Sequence, residues 1–397
     1  KSAPAMPLIT GFKPTVFNWN RLFPDGKIME YDSFDLKLTR SLSPLKSMST
    51  SHLLALLDGT SVDALCAGDV LFTAGHYDEQ HIYLLHGEVT FTWPDGRVAV
   101  IRAGETLLPL SSFQPCQVTA VANTDCSVLR IPRERLDKLL TWSAVADYLQ
   151  LNLSLRRELD DDIDWIMSVL RSNLFFKVSP LHVEDILARL EPQTVLAGEV
   201  VIRQGDEGDH CFFIREGEAE VSRYQNGVRT RLADVGPGRC IGEDALVNKA
   251  LRNASVTMRT DGCLMKLSKK DFLLLLQEPA VETQALSALR DALQGGAVAV
   301  DVRSEEEYIQ SHIRQAVNVP LDLLGIKARL LNKKTTYITY CDTGRRSRAA
   351  AFFLRCQGFN AFALSDCATL FGAADWQDIL ETNNNYLLRE GVAVPGQ

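Results

Sequence analysis

Apolar positions follow different spacings along the chain, and these spacings predict the order of its elements. Residues 67–88 and 197–218 carry short apolar or alternating runs broken by glycines, which predicts short strands joined by turns. Between them, apolar residues recur at helical spacing over 131–170. Residues 335–340 are β-branched and aromatic and precede an alanine run at 349–351, so a strand leads into a helix there. The chain is therefore predicted to be β-rich first and α/β at its end.

The two glycine-punctuated stretches are copies of one module. They align without a gap at an offset of 130, and six of 22 positions are identical. The shared positions include the glycine pairs Gly68/Gly198, Gly75/Gly205 and Gly87/Gly217. Short strands with turns at close intervals predict a small β-barrel or jelly roll. Two copies of this β-rich module therefore precede the α/β unit.

Composition sets the size class and excludes some functions. A chain of 397 residues, 46% apolar and 23% charged, predicts about two to three soluble globular domains. No apolar run approaches the roughly 18 residues of a membrane span, and the first residues lack a signal-peptide pattern. The net charge of -8 argues against nucleic-acid binding. Nine single cysteines, without a Cys-x-x-Cys pair or a histidine cluster, predict a reducing cytoplasm and no metal site.

The second copy contains a Gly-Glu-Asp-Ala-Leu segment at 242–246, followed by an Arg-Asn-Ala segment at 252–254. This order resembles the phosphate-binding cassette of the cyclic nucleotide-binding domain family. In that family an arginine follows the glutamate by about nine residues, and Glu243 and Arg252 have that spacing here. The resemblance implies a cyclic nucleotide as regulatory ligand. Its binding residues would be Gly242, Glu243, Ala245, Leu246, Arg252, Asn253 and Ala254.

These residue types suit a cyclic phosphodiester that carries a ribose. A buried arginine can neutralise the phosphate with two hydrogen bonds, and N–H groups at a helix start near Ala245 supply further donors. Glu243 can accept a hydrogen bond from the ribose 2′-hydroxyl. Asn253 matches neither base preference of the family, so cAMP is expected over cGMP because it is the commoner ligand. The alternative is a surface salt bridge between Glu243 and Arg252, worth under about 1 kcal/mol.

The first copy keeps the strand pattern and loses the nucleotide chemistry. Glu243 maps onto about Pro109 and Arg252 onto about Gln117, so neither the carboxylate nor the cation survives. We expect a degenerate copy used for packing, dimerisation or a partner. In the resembling family the helix after the barrel relays nucleotide binding and is a common dimer seam, which predicts a homodimer. In the second copy that helix is expected over 269–293.

A second candidate site follows the strand at 335–340. Cys341 opens a short loop with a glycine in its middle, and two arginines lead into the helix. A thiol between a strand and a helix start lies near backbone N–H groups and guanidinium groups, and both favour the thiolate. Such a setting is typical of a nucleophile. The candidate catalytic residues are Cys341, Thr343, Gly344, Arg345, Arg346 and Ser347.

This loop resembles the active-site loop of the rhodanese-like sulfurtransferases, Cys-x-x-Gly-x-Arg-Ser. Residues 298–308 and 311–320 are similar to the first half of that family, so the resemblance covers roughly 285–380. Related dual-specificity phosphatases use a wider Cys-x5-Arg loop for phosphate, and the Cys-x4-Arg loop here suits a persulfide. The chain departs from the family at 365–367, where Ser-Asp-Cys replaces the usual Gly-Gly pair.

The resemblance implies a role for each loop residue. Cys341 would take sulfur from a small donor such as thiosulfate, hold it as a persulfide and pass it to a thiol or cyanide-like acceptor. Gly344 would let N–H groups point at the sulfur, and Ser347 would help hold the loop. Arg345 or Arg346 would attract the anionic donor. Asp301 and His312, at family positions, are expected to stabilise the domain.

The predicted fold class is multidomain: two β-barrel or jelly-roll domains with flanking helices, then an α/β rhodanese-like domain with a parallel sheet. The expected boundaries are a tail over 1–40, a degenerate cyclic-nucleotide-binding-like domain over 41–165, a cyclic-nucleotide-binding domain over 166–284 and a rhodanese-like domain over 285–390. The predicted function is cyclic-nucleotide-regulated sulfur transfer. The alternative is a nucleotide-binding signalling protein whose last domain is a docking or redox-sensing module. A transcription factor is disfavoured because the region after the second barrel carries Cys341.

Overall fold

The computed structural model describes residues 36–58, 60–155, 163–170, 181, 187–275, 280–389 and 391–396. The predicted tail over 1–40 lies outside these residues except at its end, where helix α1 spans Leu36–Thr39. Among the residues described, we find no helix that is both long enough and apolar enough to span a bilayer.

The first β unit contains two antiparallel sheets, with the strand orders β1-β7-β3 and β2-β6-β4-β5. Residues from both sheets, including Phe72, Ile82 and Val128, form one apolar core, as the alternation of strand side chains requires. The strands are β1 (Ser61–Leu65), β2 (Val70–Phe72), β3 (Gln80–His86), β4 (Glu88–Thr92), β5 (Val98–Arg102), β6 (Thr119–Ala122) and β7 (Cys126–Pro132).

The second β unit repeats this arrangement, with the strand orders β13-β10-β15-β8 and β12-β11-β14-β9. Ile202, Ile214 and Val256 belong to its core. The strands are β8 (Glu191–Val195), β9 (Val200–Ile202), β10 (His210–Glu216), β11 (Ala219–Gln225), β12 (Val228–Val235), β13 (Cys240–Ile241), β14 (Ser255–Met258) and β15 (Gly262–Ser268). The predicted pair of similar β modules is confirmed.

The glycines shared by the two copies have the same conformational role in both. Gly87 and Gly217 have φ values of +93° and +91°, in the left-handed region that favours glycine. A Cβ would lie 2.6 Å from the Asp125 carbonyl oxygen in the first copy and 2.9 Å from that of Asp261 in the second. The repeat therefore preserves turns that no other residue type fits as well.

The C-terminal unit is built on a five-stranded parallel sheet of order β16-β21-β20-β17-β19. The predicted strand at 335–340 is β20 at the centre of this sheet, which confirms the α/β expectation. The strands are β16 (Thr283–Gln284), β17 (Val298–Asp301), β18 (His312–Ile313), β19 (Val317–Asn318), β20 (Thr336–Tyr340), β21 (Asn360–Leu364), β22 (Leu380–Glu381), β23 (Tyr386–Arg389) and β24 (Val392–Pro395).

The helices after the first β unit differ from the sequence expectation at their ends. The described helices are α2 (Thr50–Leu57), α3 (Arg133–Leu155), α4 (Ile163–Leu170), α5 (Glu243–Val247), α6 (Lys269–Leu275), α7 (Leu289–Gln294), α8 (Glu305–Gln310), α9 (Leu324–Lys327), α10 (Arg345–Cys356) and α11 (Cys367–Gly372). The helix expected from Ile131 begins two residues later, because Ile131 is fully buried and pairs with His81 across the sheet.

The prediction of one long helix over 269–293 was wrong. Helix α6 ends at Leu275 among the described residues, and β16 pairs in parallel with β21 instead of continuing a helix. Pairing with β21 supplies the tertiary reason.

Candidate functional site

The loop after β20 places Cys341 in a sheltered position. Cys341 has no exposed surface and follows directly on the central strand. The loop turns at Gly344, whose φ of +92° is in the left-handed region. This turn aims the Gly344 N–H at the Cys341 Sγ, at a distance of 3.0 Å. The N–H contact expected from the sequence is therefore present, and α10 begins at the next residue.

The surroundings of Cys341 favour its thiolate in spite of burial. Burial and the carboxylate of Asp342 raise the pKa, but hydrogen bonds with Cys367 and Ser347 and the charge of Arg346 outweigh them. The pKa of Cys341 is therefore lowered to about 6. The Ser347 Oγ lies 3.6 Å from the Sγ and also donates to the Gly344 carbonyl oxygen at 3.1 Å. At neutral pH the nucleophilic form of the sulfur dominates.

Cys367 is a site residue that sequence reasoning did not assign. It is 2% exposed at the start of α11, and its thiol donates to the Leu364 carbonyl oxygen at 3.0 Å. The Cys341 thiol and the Ser347 hydroxyl also interact with it. The Cys341 partner and burial raise the pKa of Cys367 well above its ordinary value, so it stays a thiol and a donor. The only sequence signal was the departure from Gly-Gly at 365–367. The contact exists because β20 and β21 are parallel neighbours.

Replacing Cys367 with alanine should raise the pKa of Cys341 by about one unit, because the thiolate loses a hydrogen-bond donor. The ultraviolet absorbance of the thiolate, titrated against pH, measures this change. The same titration of a variant that also carries Cys341→Ser is subtracted. Cys66→Ala, at an exposed cysteine, is the matched control and should leave the curve unchanged. An identical pKa in the Cys367→Ala variant would contradict the assigned contact.

The two loop arginines are bound to carboxylates. Arg346 is buried and donates to both Glu307 carboxylate oxygens at 2.9 Å and to Asp342 at 2.7 Å. Arg345 donates to Glu134 at 3.1 Å. That one of these arginines attracts an anionic donor stays a prediction. In this conformation Arg346 is held by partly buried carboxylates, and Arg345 forms an exposed ion pair. Their evident role in this conformation is to hold the loop in place.

Asp137 of helix α3 covers the loop from the first β unit's side. The Thr343 hydroxyl donates to its Oδ2 at 2.5 Å. The Arg346 Nε lies 3.4 Å from its Oδ1 without hydrogen-bond alignment. Burial, followed by the charges of Asp342 and Cys341, raises the pKa of Asp137 to about 8. This carboxyl group is therefore mostly protonated at neutral pH, and no feature of the sequence marks it.

Asp137→Asn should remove a pH-dependent loss of stability. The folded state holds the Asp137 proton more tightly than the unfolded chain does. The stabilisation that comes from this tighter proton binding is therefore complete below about pH 4 and is lost as the pH rises through about 8. We expect the melting temperature of the wild type to fall, relative to Asp137→Asn, between about pH 4 and about pH 8, and the difference to be constant above that range. Glu134→Gln, at an exposed position one turn earlier, should keep the wild-type slope. Parallel curves for Asp137→Asn and the wild type would refute the assignment.

The first β unit and its helix pack against the C-terminal unit at several further points. Tyr148 of α3 stacks on Phe353 of α10, with ring centroids 4.4 Å apart, and its hydroxyl accepts from Gln357 at 2.8 Å. Phe113 stacks on Phe371 at 5.8 Å. The Cys341 loop is therefore enclosed by the first unit as well as by its own.

The segment of the first copy that replaces the nucleotide cassette takes part in this packing. Gln117, the approximate counterpart of Arg252, donates to the Phe371 carbonyl oxygen at 3.3 Å. Pro109, the approximate counterpart of Glu243, is buried beside Leu110. Of the three uses expected for the degenerate copy, packing within the chain is the one the contacts display.

The second copy assembles the predicted cassette around Arg252. This side chain is 6% exposed and donates to the carbonyl oxygens of Gly242 and His210, each at 2.5 Å. Gly242 has a φ of +83°, and a Cβ there would lie 2.6 Å from the Arg252 guanidinium. A buried guanidinium does not fit the alternative of a surface salt bridge. Asp209, 3.9 Å away, is the nearest carboxylate in its ion pairs among the described residues.

The remaining cassette residues divide between core and surface. Glu243 begins α5, and the helix start faces the segment that Arg252 occupies, as the sequence predicted. Asn253 is exposed, and its carbonyl oxygen accepts from Arg223 at 3.0 Å. The three apolar residues are buried: Ala245, Leu246 and Ala254. The helix start and the arginine are thus brought together as the donors of an anion site require.

Comparison with known proteins identifies the domains that contain these two candidate sites. The cyclic nucleotide-binding domain family matches residues 62–141 and 192–278, and the rhodanese-like domain family matches residues 285–367. A cAMP-dependent protein kinase regulatory subunit of Eremothecium gossypii is 30% identical over 222 residues, which is 55% of this chain and 44% of that protein. A cyclic nucleotide-gated potassium channel of Mesorhizobium japonicum is 37% identical over 102 residues, 26% of this chain and 27% of the channel.

The curated relatives are longer than the regions they share with this chain, which spans less than half of either protein. Among solved structures, the regulatory domain of Toxoplasma gondii PKA with cAMP is similar at 17% identity and a TM-score of 0.25. That match covers 65% of this chain and 93% of that one. The family matches coincide with the two β units and the parallel-sheet unit. The chain therefore carries two cyclic nucleotide-binding domains followed by a C-terminal rhodanese-like domain.

Proposed function

We propose that this protein is a sulfurtransferase whose activity is regulated by a cyclic nucleotide, with cAMP as the expected ligand. The observation that carries the proposal is Cys341, whose pKa is lowered to about 6 and whose sulfur accepts the Gly344 N–H at 3.0 Å. A thiolate with a hydrogen-bond donor aimed at it is suited to attack sulfur and to hold the charge of a persulfide. The family match at 285–367 supports the same chemistry.

The reaction proceeds in two balanced steps. The Cys341 thiolate attacks the outer sulfur of thiosulfate, the S–S bond of the donor breaks, and sulfite leaves with the bonding electron pair. Cys341 then carries a persulfide anion. Cyanide or a thiolate acceptor attacks the terminal sulfur, and Cys341 is released again as the thiolate.

A continuous apolar core supports coupling between the nucleotide and sulfur sites. It includes Leu246 of the cassette helix, Phe272 of α6, Val169 of α4, Val145 of α3 and Phe353 of α10. Helix α3 runs from this core to Asp137, which contacts Thr343 in the Cys341 loop. A nucleotide that shifts α5 has a packed route to the loop. This route, together with a homodimer, is part of the proposal.

The test is thiosulfate:cyanide sulfur transfer by the full-length protein, measured with and without cAMP and with cGMP in parallel. A rate that changes with cAMP supports the regulated enzyme. A rate that changes with neither nucleotide supports the enzyme and contradicts its regulation by a nucleotide. A stronger response to cGMP would reverse the ligand assignment.

A second candidate is a nucleotide-binding signalling protein whose rhodanese-like domain docks a partner or senses oxidants. One observation favours the docking role: Cys341 has no exposed surface, and Asp137 closes over its loop, whereas an oxidant-sensing thiol has to be accessible. Incubation with thiosulfate followed by mass spectrometry of the intact protein separates the candidates. A gain of one sulfur atom on Cys341 supports the enzyme. If no sulfur is gained with several donors, with or without nucleotide, the result supports the nucleotide-binding signalling protein.

A further inference from the structure

A cavity of about 270 Å³ lies between the first cyclic nucleotide-binding domain and the rhodanese-like domain. Both domains line it, and its rhodanese side includes the loop residues Asp342 and Thr343 beside Arg303 and Glu307. The charged and titratable residues in its wall are His81, Arg133, Asp137, Arg303, Glu307, Asp342 and Arg346. The cavity is thus a composite of two domains beside the proposed catalytic loop.

Most of the cationic side chains in the wall are paired with carboxylates. Arg303 donates to the Asp301 carboxylate, with its shortest contact at 2.6 Å. Arg346 is bound to Glu307 and Asp342, as described above. Asp137 is mostly protonated at neutral pH because its pKa is about 8. The rhodanese-like domain therefore presents no uncommitted cation to an anionic donor in this wall.

Arg133, from the degenerate domain, is the exception. Its Nε donates to the Asp78 carbonyl oxygen at 2.8 Å, and its terminal nitrogen donates to the carbonyl and hydroxyl oxygens of Ser111. These acceptors are neutral oxygens. Among the described residues, no ion pair joins Arg133 to a carboxylate. Burial lowers the pKa of Arg133, although Asp342 and Asp78 act in the opposite direction. An anion in the cavity would compensate this charge.

His81 is the second candidate anion-binding group in the same wall. It is 7% exposed, and its Nδ1 has no hydrogen-bond partner among the described residues. Burial and the charge of Arg133 lower the pKa of His81 to about 3, so the ring is neutral. A neutral imidazole carries one N–H, and with that proton on Nδ1 the ring would donate to an anion in the cavity. A buried polar atom without a partner is rare unless a ligand or water satisfies it.

We propose that Arg133 and His81 bind the oxyanion end of a small sulfur donor of the thiosulfate class in this cavity. The degenerate domain then contributes the groups that bind the anion. The loop arginines do not bind it, because they are paired with carboxylates. The role of the anion as sulfur donor rests on the proposed function, whereas anion binding itself does not. The donor would lie beside Asp342 and Thr343, next to Cys341 in the chain. The domain that lost its nucleotide chemistry has thus become part of the sulfur site.

The test is calorimetric titration of full-length Cys341→Ser protein with thiosulfate, because this variant binds without turnover. We expect binding on the order of millimolar that weakens at least tenfold when Arg133→Gln is added. His81→Phe should weaken it severalfold. Arg135→Gln is the matched control: Arg135 also donates to a backbone carbonyl oxygen, that of Ala55, but does not line the cavity. It should leave binding unchanged.

Circular dichroism checks that each variant is folded. If Arg133→Gln is not, Arg133→Lys takes its place and should bind thiosulfate, more weakly than the parent. Equal affinity of parent and Arg133 variants, or no binding at about 10 mM thiosulfate, overturns the proposal. Binding that depends on Arg133 in a protein without sulfur transfer would keep the anion site and reject the proposed function. Phosphate and sulfate titrated in parallel show whether the site selects the sulfur donor or accepts any tetrahedral oxyanion.

Discussion

Replacing Cys341 with serine is expected to lower the rate of thiosulfate:cyanide sulfur transfer by at least about 10³-fold. A serine hydroxyl has no accessible anion at neutral pH and cannot carry sulfur as a persulfide. The protein environment lowers the pKa of the cysteine to about 6 and directs the Gly344 N–H at its sulfur, and both features act only on a thiolate. Steady-state formation of thiocyanate measures the loss.

The matched control for this substitution is Cys116→Ser, at another buried cysteine whose pKa burial raises. It should retain sulfur transfer, because its thiol does not contact the loop. Cyclic AMP affinity should be the same in both variants and in the wild type. Residual transfer by Cys341→Ser at a rate close to that of the wild type would show that another group carries the sulfur.

Arg252→Gln should weaken cAMP binding by about 100-fold or more. The buried guanidinium is the cation of the cassette, and its loss leaves the cyclic phosphate without a charge partner in a desolvated site. Fluorescence displacement of a labelled cyclic nucleotide measures the affinity. In the sulfur-transfer assay, the same variant should show the basal rate without a response to nucleotide.

Arg252 also donates to the carbonyl oxygens of Gly242 and His210, so the substitution can disturb the cassette itself. Arg223→Gln controls for this effect, because Arg223 is a surface residue that donates to the Asn253 carbonyl oxygen. It should reduce affinity only slightly. Equal weakening by both variants, with lowered melting temperatures, would indicate collapse of the cassette. Unchanged affinity of folded Arg252→Gln would remove the proposed binding site.

The features predicted correctly from the sequence are those set by neighbouring residues. Gly87 and Gly217 mark turns because a side chain there would collide with backbone, and this requirement is visible in the repeat. Cys341 and Gly344 are three residues apart in one loop, so their spacing predicts an N–H contact to sulfur. The order of two β modules and an α/β unit likewise follows from local apolar spacing.

The errors have a common cause in pairing between distant strands. Ile131 fits the start of a helix by its spacing, but it completes a ladder with His81 and is buried there. Thr283 lies within an expected helix, but it pairs with Ala363 at the edge of the parallel sheet. In both places tertiary pairing prevails over local propensity, which differs little between helix and strand for single residues.

The sequence by itself determined the two site motifs of this protein, which are the phosphate-binding cassette with its Glu243–Arg252 spacing and the Cys341 loop. Only the tertiary structure decided what surrounds them. Asp137 and Thr343 are 206 residues apart in the chain and meet because helix α3 packs across the rhodanese-like domain. The raised pKa of Asp137 and the lowered pKa of Arg133 arise mainly from burial, which depends on contacts between domains. Such contacts leave no local pattern, because each partner satisfies its own helix or strand whether or not the other is present.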